Sequence, residues 1–316
     1  LGGRSQLPRA VWREGTYYPL RLARQARRAG AELVHVPTIG PVLGGGLPVV
    51  VTLHDVLPLS MPELFTAQVR GHVRASAPFV RRAARVLTNS EWTRGEAIER
   101  MSLREEQVLC TPFGLSPRFS PADVDREALG ARFGIPGRYV LSVATREPRK
   151  NLVGLLRAFR GLAERVDDVS LVLAGGRGWL GEEIAAELAA AGPRVRPVGF
   201  VSDEELVTLY RGAAAFAFPS LVEGFGFPPL EAMGCGAPVV CSDRGGLAEV
   251  AGGGAAVIVD PGSPEALADG LERVLADPAL AADLRARGLE RAAAHTWAAC
   301  AEATVRGYRE ALSSSS

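Results

Sequence analysis

The chain has 316 residues, of which 47% are hydrophobic and 22% are charged, and its net charge is +1. These values are typical of a soluble globular protein, and the length suffices for two domains. No apolar run reaches the about 18 residues that a membrane-spanning helix needs, and no signal-peptide pattern opens the sequence, so we expect no membrane-spanning segment.

Short apolar runs alternate with longer amphipathic stretches along the chain. This alternation predicts an α/β fold, in which parallel sheets carry helices on both faces. In the first half, strands are predicted at 32–36, 48–54, 85–89 and 107–110, and helices at 18–29, 67–84 and 93–101.

A proline-rich polar stretch at 111–122 is predicted to link two domains. We place the N-terminal domain at 1–118, closed by a C-terminal helix at 297–312, and the C-terminal domain at 119–296. Six strands complete a nucleotide-binding sheet in the second half, whereas four do not in the first, so we expect the first domain to lack its opening strand. The second-half strands are predicted at 139–144, 170–174, 195–200, 215–219, 238–242 and 256–259, and the helices at 152–165, 181–191, 203–211, 264–275 and 278–295.

Positive charge is concentrated in the first half, where residues 1–120 carry 16 arginines against 9 acidic residues. Such an excess can attract a phosphate-bearing acceptor, an anionic membrane surface or nucleic acid. Because the aromatic residues of a nucleic-acid platform are missing, we expect no nucleic-acid partner. Most of these arginines are interpreted as solvated helix faces, and peripheral membrane contact through the basic N-terminal half is retained as an alternative.

The cysteines show neither a CxxC motif nor the spacing of metal ligands. They are interpreted as small buried hydrophobes in a reducing compartment, so we expect a cytoplasmic protein, with association at the cytoplasmic face of a membrane as an alternative. The four are Cys110, Cys235, Cys241 and Cys300.

Lys150 is the only lysine among 36 basic residues. Arginine and lysine are interchangeable as solvated surface charges, but lysine offers a compact ammonium where arginine offers a planar fork. A site that binds phosphate oxygens through a compact charge would not function with arginine in place of lysine. The alternative is a lysine retained by chance on a loop.

The strongest motif is the segment 223–231, EGFGFPPLE, which follows a predicted strand and enters a predicted helix. Pro228 and Pro229 mark the helix start, because proline lacks an N–H that would be unpaired in the first turn. A helix start with free N–H groups is a ready anion site. The N–H groups expected to point out of the helix are those of Gly226, Phe227 and Leu230.

The two carboxylates of this motif, Glu223 and Glu231, stand eight positions apart. Glu231 is expected to stay ionised near the helix start and to accept hydrogen bonds from a ribose or sugar diol. Glu223 is expected on the preceding loop, open to a cleft. The structural alternatives are a first-turn acid for Glu231 and an ordinary loop carboxylate for Glu223.

The chain resembles the retaining, nucleotide-sugar-dependent glycosyltransferases of family 4. The resemblance implies the GT-B architecture, in which two Rossmann-like domains face each other across a cleft. The matching segments are the Glu-x7-Glu motif, the run REPRKN at 146–151, VGF at 198–200, PVVCSD at 238–243, GGLAE at 245–249, and, more weakly, HD at 54–55 and NSE at 89–91.

The resemblance implies that Lys150 and a nearby arginine bind the diphosphate of the sugar nucleotide. We choose Arg146 for that arginine and keep Arg149 as the alternative, because the usual family arginine stands where Thr145 lies. His54 is expected near the reacting centre, with a strand-end histidine bonded to backbone as the alternative.

The remaining donor contacts are also implied by the resemblance. Glu231 would bind the ribose, and Phe200 with Val201 would border the base. Glu223 would hold the transferred sugar, together with the backbone of Gly224, Phe225, Gly226 and Phe227.

The implied reaction moves a sugar from a nucleotide-diphosphate sugar to an acceptor hydroxyl with retention of anomeric configuration. GDP-mannose is the favoured donor, a UDP-sugar is the second choice, and the acceptor is a sugar, a glycolipid or a small molecule. We expect no cofactor and no metal, because the Asp-x-Asp string at 123–125 lies in the linker and is interpreted as helix capping. The alternatives are a sugar-nucleotide epimerase, a phosphorylase of the same fold and a non-catalytic nucleotide-sugar-binding protein.

Overall fold

The computed structural model describes residues 21–176, 178 and 182–313, and the chain divides into two compact units. Unit 1 comprises Leu1–Gly114 with Trp297–Ser316, and unit 2 comprises Leu115–Thr296. The start of the predicted helix at 18–29, residue 181 of the predicted helix at 181–191 and the expected loss of an opening strand lie outside the described residues.

Unit 1 is built on a parallel sheet in which each strand pairs with the next strand along the chain, in the order β1-β2-β3-β4. Its strands consist mainly of apolar residues, as expected for strands covered on both faces. All four predicted strands are present. They are β1 (Val34–Val36), β2 (Val49–Leu53), β3 (Arg85–Thr88) and β4 (Val108–Cys110), with helices α1 (Leu22–Arg28), α2 (Leu57–Ser60), α3 (Ala67–Val80) and α4 (Glu91–Met101).

Helices cover both faces of this sheet. On one face, α1, α3 and α4 contribute to a core in which Val51, Val80 and Met101 are buried. On the other face, the C-terminal helix Trp297–Ser313 buries Ala311 against Val50 and Leu87. Unit 1 therefore takes in a segment nearly 200 residues further along the chain.

Unit 2 contains a six-stranded parallel sheet with the order β10-β9-β8-β5-β6-β7, and all six predicted strands are present. The strands are β5 (Arg138–Val143), β6 (Val169–Ala174), β7 (Val195–Gly199), β8 (Ala215–Phe218), β9 (Val239–Cys241) and β10 (Ala256–Ile258). The helices are α5 (Arg126–Phe133), α6 (Leu152–Ala163), α7 (Glu182–Ala190), α8 (Asp203–Gly212), α9 (Phe227–Gly234), α10 (Leu247–Val250), α11 (Pro264–Ala276) and α12 (Pro278–Ala293), and the C-terminal helix of unit 1 is α13.

Short helices are the elements that the pattern did not predict. Helices α2 and α10 have four residues each, too few for a helical period to be visible. Helix α5 begins after Asp125, whose Oδ1 accepts a hydrogen bond from the Ala128 N–H at 3.0 Å, so the interpretation of 123–125 as helix capping is confirmed. No helix in the described part of the chain combines the length and apolar character that a bilayer crossing requires.

The strand order of unit 2 reverses direction between β5 and β8. From β5 the chain proceeds through β6 to β7 on one side, and β8, β9 and β10 then follow on the other side. In open parallel sheets, ligands bind outside the carboxyl ends of the strands at such a switch point. We therefore expect a ligand-binding site of unit 2 at the loops that follow β5 and β8.

Candidate active site

The loop after β5 is a compact turn that presents Arg149 and Lys150. Pro148–Lys150 form a 3₁₀ turn, and Asn151 ends it in a left-handed conformation with φ of 53°. The Asn151 side chain donates to the Pro261 carbonyl at 2.6 Å, which fixes the end of the loop. The loop joins its neighbour through the Leu221 N–H, which donates to the Arg149 carbonyl at 2.7 Å.

Glu223, on the loop after β8, lies between both cations of this turn. Lys150 Nζ is 2.6 Å from Glu223 Oε1, and Arg149 Nη1 is 2.5 Å from Oε2. Glu223 is 7% exposed, and the Lys150 ammonium lies 4.9 Å from the centre of the Phe218 ring. The lone lysine and the first carboxylate of the Glu-x7-Glu motif therefore meet in a nearly buried ion pair.

A second carboxylate holds Arg149 from its other side. Glu147, itself 6% exposed, accepts from Arg149 Nε at 3.0 Å and from the Thr145 hydroxyl at 2.6 Å. The cluster thus contains two carboxylates and two cations. Burial lowers the pKa of Lys150, and the neighbouring Glu223 carboxylate acts in the opposite direction.

Two glycines fix the backbone of Glu223. Gly245 forms an isolated parallel bridge with Glu223, and the Gly246 N–H donates to the Glu223 carbonyl at 2.8 Å. Gly245 has φ of +71°, and a Cβ on either glycine would collide with the backbone of Glu223 or Gly224. In the sequence, these two glycines are only part of the matching segment at 245–249. Their contact with Glu223 depends on β9 lying beside β8 in the sheet.

Helix α9 begins at Phe227, one residue before the predicted Pro228. Gly226 precedes it with φ of +132°, a conformation that favours glycine. The Leu230 N–H donates to the Gly226 carbonyl at 3.2 Å, and Leu230 is fully buried. The prediction that the Leu230 N–H points out of the helix start is therefore wrong, because this N–H closes the first turn.

The two aromatic residues of the motif differ in burial, since Phe225 is buried and Phe227 is half-buried. Phe225 is 5% exposed, and its ring lies 5.1 Å from that of Phe227 and 5.9 Å from that of His295. Phe225 therefore supports the loop by packing, and any contact that it makes with a sugar is through its backbone.

Glu231 lies beyond the first turn of α9, which contains no acidic residue. Its Oε2 accepts a hydrogen bond from the Tyr210 hydroxyl at 2.9 Å, and Tyr210 is fully buried. Burial raises the pKa of Glu231 above its ordinary value, and the Tyr210 hydrogen bond only partly opposes this. The expectation that Glu231 stays ionised depended on a position near the helix start. The structure places Glu231 beyond the first turn, so the helix start does not favour its ionised form.

Arg146 does not share the Glu223 cluster. Its backbone N–H donates to the Gly176 carbonyl at 3.4 Å, and Arg146 lines a small cavity with Leu152 and Leu188. The structure thus brings Lys150 and Glu223 into direct contact and places Arg149 rather than Arg146 beside them. The expectation that Glu223 is open to a cleft is wrong, because its carboxylate is nearly buried between the two cations. The sequence signal for Arg149 was its adjacency to the lone lysine.

Phe200 and Val201 follow β7, two strands away from β5 in the sheet. Phe200 is 88% exposed, whereas Val201 is half-buried. An aromatic ring so exposed offers a flat face for stacking, which suits the predicted contact with a base.

His54 belongs to unit 1 and follows β2 at the carboxyl end of that sheet. Its Nε2 donates to the Pro37 carbonyl at 2.9 Å, and its ring lies 5.6 Å from that of Phe113. Asn89 follows β3, and its side-chain amide donates to the His54 carbonyl at 2.8 Å. Asn89 is 4% exposed, and its Oδ1 has no hydrogen-bond partner among the described residues.

Both halves of the chain match family models. Residues 126–291 match the model of "Glycosyl transferases group 1", and residues 3–118 match that of "Glycosyltransferase Family 4". Two parallel sheets covered by helices are features of the GT-B glycosyltransferase fold. The chain belongs to the glycosyl transferases of group 1, with a family 4-like N-terminal half, and its activity is glycosyl transfer.

Named relatives support the same class. The chain is 34% identical to the O-antigen chain mannosyltransferase B of Escherichia coli over 82% of its length and 70% of that protein. It is 32% identical to the serotype-specific mannosyltransferase WbdA of Escherichia coli over 83% of its length and 33% of that protein. Among solved structures, the Anabaena protein Alr3699/HepE in complex with UDP-glucose superposes with a TM-score of 0.76 at 23% identity, covering 93% of this chain and 81% of that one.

Proposed function

We propose that this protein transfers mannose from a nucleotide-diphosphate sugar to an acceptor hydroxyl, with GDP-mannose as the favoured donor and a UDP-sugar as the second choice. The observation that carries the proposal is the convergence of Lys150 and Arg149 on one carboxylate, that of Glu223. The names of the two Escherichia coli mannosyltransferases described above support mannose as the transferred sugar.

The Glu223 carboxylate occupies a position that suits an anion held by two cations. A donor diphosphate has the same charge sign, a larger total negative charge and more acceptor oxygens, so it would take this place and release Glu223. Arg149 would stay in position because Glu147 still accepts from its Nε. The released Glu223 would then accept hydrogen bonds from hydroxyls of the transferred sugar.

The chemical step breaks the bond between the anomeric carbon and the phosphate oxygen, and negative charge builds on the leaving diphosphate. Lys150 and Arg149 would stabilise that charge, and preorganised donors of this kind contribute about 3–4 kcal/mol each when they act as oxyanion-hole donors do. The acceptor oxygen attacks on the same face, its proton passes to the departing phosphate oxygen, and the configuration is retained.

The remaining roles extend this proposal. Glu231 would bind the ribose, Phe200 and Val201 would border the base, and His54 would act near the reacting centre. We propose catalysis without a metal or cofactor. Acceptors would be a sugar, a glycolipid or a small molecule, and a cytoplasmic location, with or without peripheral membrane contact, remains a prediction.

A panel of GDP, UDP, dTDP and ADP in thermal-shift and turnover measurements tests the donor. A ligand at 100 times its Kd stabilises a protein by about 2.7 kcal/mol, which suffices to rank the four nucleotides. We expect GDP to give the largest shift, and GDP-mannose turnover to continue in EDTA with a product of retained configuration by NMR. Strict dependence on added Mg²⁺ or Mn²⁺, or an inverted product, would contradict the proposal. Release of mannose phosphate with inorganic phosphate would instead identify a phosphorylase.

A further inference from the structure

A groove of about 890 Å³ lies in unit 1, at the edge of its sheet away from His54. It is formed by the connections that enter β2, β3 and β4 at their amino ends. Because the strands are parallel, these three connections lie at the same end of the sheet, where the strands begin. His54 and Asn89 follow the carboxyl ends of β2 and β3, so the groove is separate from them.

The charges that line the groove are unbalanced. Its walls carry four arginines and a single carboxylate, that of Glu106. Arg104 Nε donates to Glu106 at 2.9 Å, and Arg85 Nε donates at 3.0 Å to Glu310, on α13. Among the described residues, the other two arginines, Arg81 and Arg82, have no carboxylate within ion-pair distance. Four guanidiniums against two carboxylates leave an excess of two positive charges.

The two unmatched arginines are held by buried structure. Gln107 is 1% exposed, and its side-chain amide donates to the carbonyls of Arg81 at 3.2 Å and Ala83 at 2.6 Å. Arg81 Nε in turn donates to the Met101 carbonyl at 2.7 Å, at the end of α4. The corner between α3 and β3 is therefore fixed, and it presents Arg81 and Arg82 from a defined position.

The opposite wall is a glycine turn with apolar neighbours. Gly45 and Gly46 have φ of +56° and +97°, and Gly46 leaves room for Arg27, whose guanidinium a Cβ would meet. This places one further cation near the groove. Leu43, which is 39% exposed, and Phe79 add apolar surface to the walls.

We propose that this groove is a second anion site, which binds a phosphate or diphosphate group of a ligand other than the donor nucleotide. Guanidiniums match phosphate oxygens with paired hydrogen bonds, and two of them here lack a competing carboxylate. The apolar walls fit a ligand whose phosphate is carried on a less polar body. Two sources share this chemistry: a soluble phosphate ester and the headgroup of an anionic lipid.

Titration calorimetry with inorganic diphosphate at low ionic strength tests the site. All proteins in the comparison carry Lys150→Ala, so that the candidate active site contributes little to the signal. We expect Arg81→Gln/Arg82→Gln to weaken binding at least tenfold. The control pair Arg306→Gln/Arg309→Gln removes the same charge from exposed positions on α13 and should leave the affinity unchanged. Hydrogen exchange should show protection confined to residues 42–49 and 79–85.

Two further arms separate the sources and guard against misfolding. Vesicles of phosphatidate in phosphatidylcholine replace diphosphate: binding to vesicles alone that requires Arg81 and Arg82 identifies a lipid headgroup, and binding of soluble diphosphate identifies a free ester. The single variant Arg82→Gln, at an exposed position, repeats the test if the double variant is unstable. Equal affinity in all variants, an equal loss in the control pair, or no binding in either arm would overturn the proposal.

Discussion

Replacing Glu223 with glutamine should make the protein bind nucleoside diphosphates more tightly while it loses transferase activity. The variant keeps the shape of the side chain and removes its charge. In the wild type, a diphosphate must break two charge-assisted contacts, at 2.6 Å to Lys150 and at 2.5 Å to Arg149. Each hydrogen bond to a charged group contributes roughly 1.5–3 kcal/mol. Glutamine has a single acceptor oxygen, and its NH2 group can only donate, so the variant can keep at most one of the two contacts.

The loss of one such contact is worth about 1.5–3 kcal/mol, part of which the wild type regains when the released carboxylate is solvated. Because about 1.4 kcal/mol corresponds to a tenfold change in Kd, we expect GDP or UDP to bind Glu223→Gln about 10–100-fold more tightly. Turnover should fall, because the amide cannot hold the sugar as a carboxylate does. Loss of Glu223 removes the partner that opposes the effect of burial on the pKa of Lys150, so calorimetry at two pH values controls for a change in the protonation of Lys150.

Glu147→Gln is the matched control, because it removes one negative charge from the other side of Arg149. If Glu223 blocks the anion position directly, Glu147→Gln should bind GDP no more tightly than the wild type. Equal tightening in both variants would mean that net charge alone controls affinity. Unchanged or weaker binding by Glu223→Gln would refute the exchange of carboxylate for diphosphate.

Three further predictions concern single side chains. Lys150→Ala should lower kcat by about two to three orders of magnitude. Lys150→Arg should also be impaired, because the larger guanidinium would have to enter the nearly buried space that the compact ammonium occupies beside Glu223. Full activity of Lys150→Arg in steady-state kinetics would contradict this. Tyr210→Phe removes the hydrogen bond to the half-buried Glu231 carboxylate and should lower the free energy of unfolding by about 1.5–3 kcal/mol in urea denaturation, whereas an unchanged midpoint would show that the bond contributes nothing. Burial lowers the pKa of His35, whose ring bonds Tyr308 at 2.7 Å and Thr52 at 2.8 Å, so the unfolded chain takes up a proton at this site more readily than the folded one. The contribution of His35 to stability should therefore be complete above pH 6.5 and be lost as the pH falls through its folded pKa, and melting curves of His35→Gln should lack this part of the acid dependence.

The sheets could be predicted from the sequence because their strands are apolar runs separated by amphipathic stretches. Strand order could not be predicted, and the site depends on it. Lys150 and Glu223 are 73 residues apart and meet only because β8 lies next to β5. For the same reason, the contact of Gly245 and Gly246 with Glu223 could not be predicted, because it requires β9 to lie beside β8.

Some predictions about single residues of the site were wrong because they depend on chain positions that differ by only a few residues. Arg146 and Arg149 stand in one short loop, and only the 3₁₀ turn at 148–150 decides which of them contacts Glu223. Helix α9 begins one residue earlier than its prolines suggested, so Leu230 closes the first turn and Glu231 falls beyond it. Burial then controls the pKa of Glu231 instead of the helix start.

A crystal structure of the protein with GDP bound tests the central claim most directly. We expect diphosphate oxygens within hydrogen-bond distance of Lys150 Nζ and the Arg149 guanidinium, with the Glu223 carboxylate turned away from both. A diphosphate bound elsewhere, beside Arg146 for example, with the contacts of Glu223 to Lys150 and Arg149 intact, would contradict it.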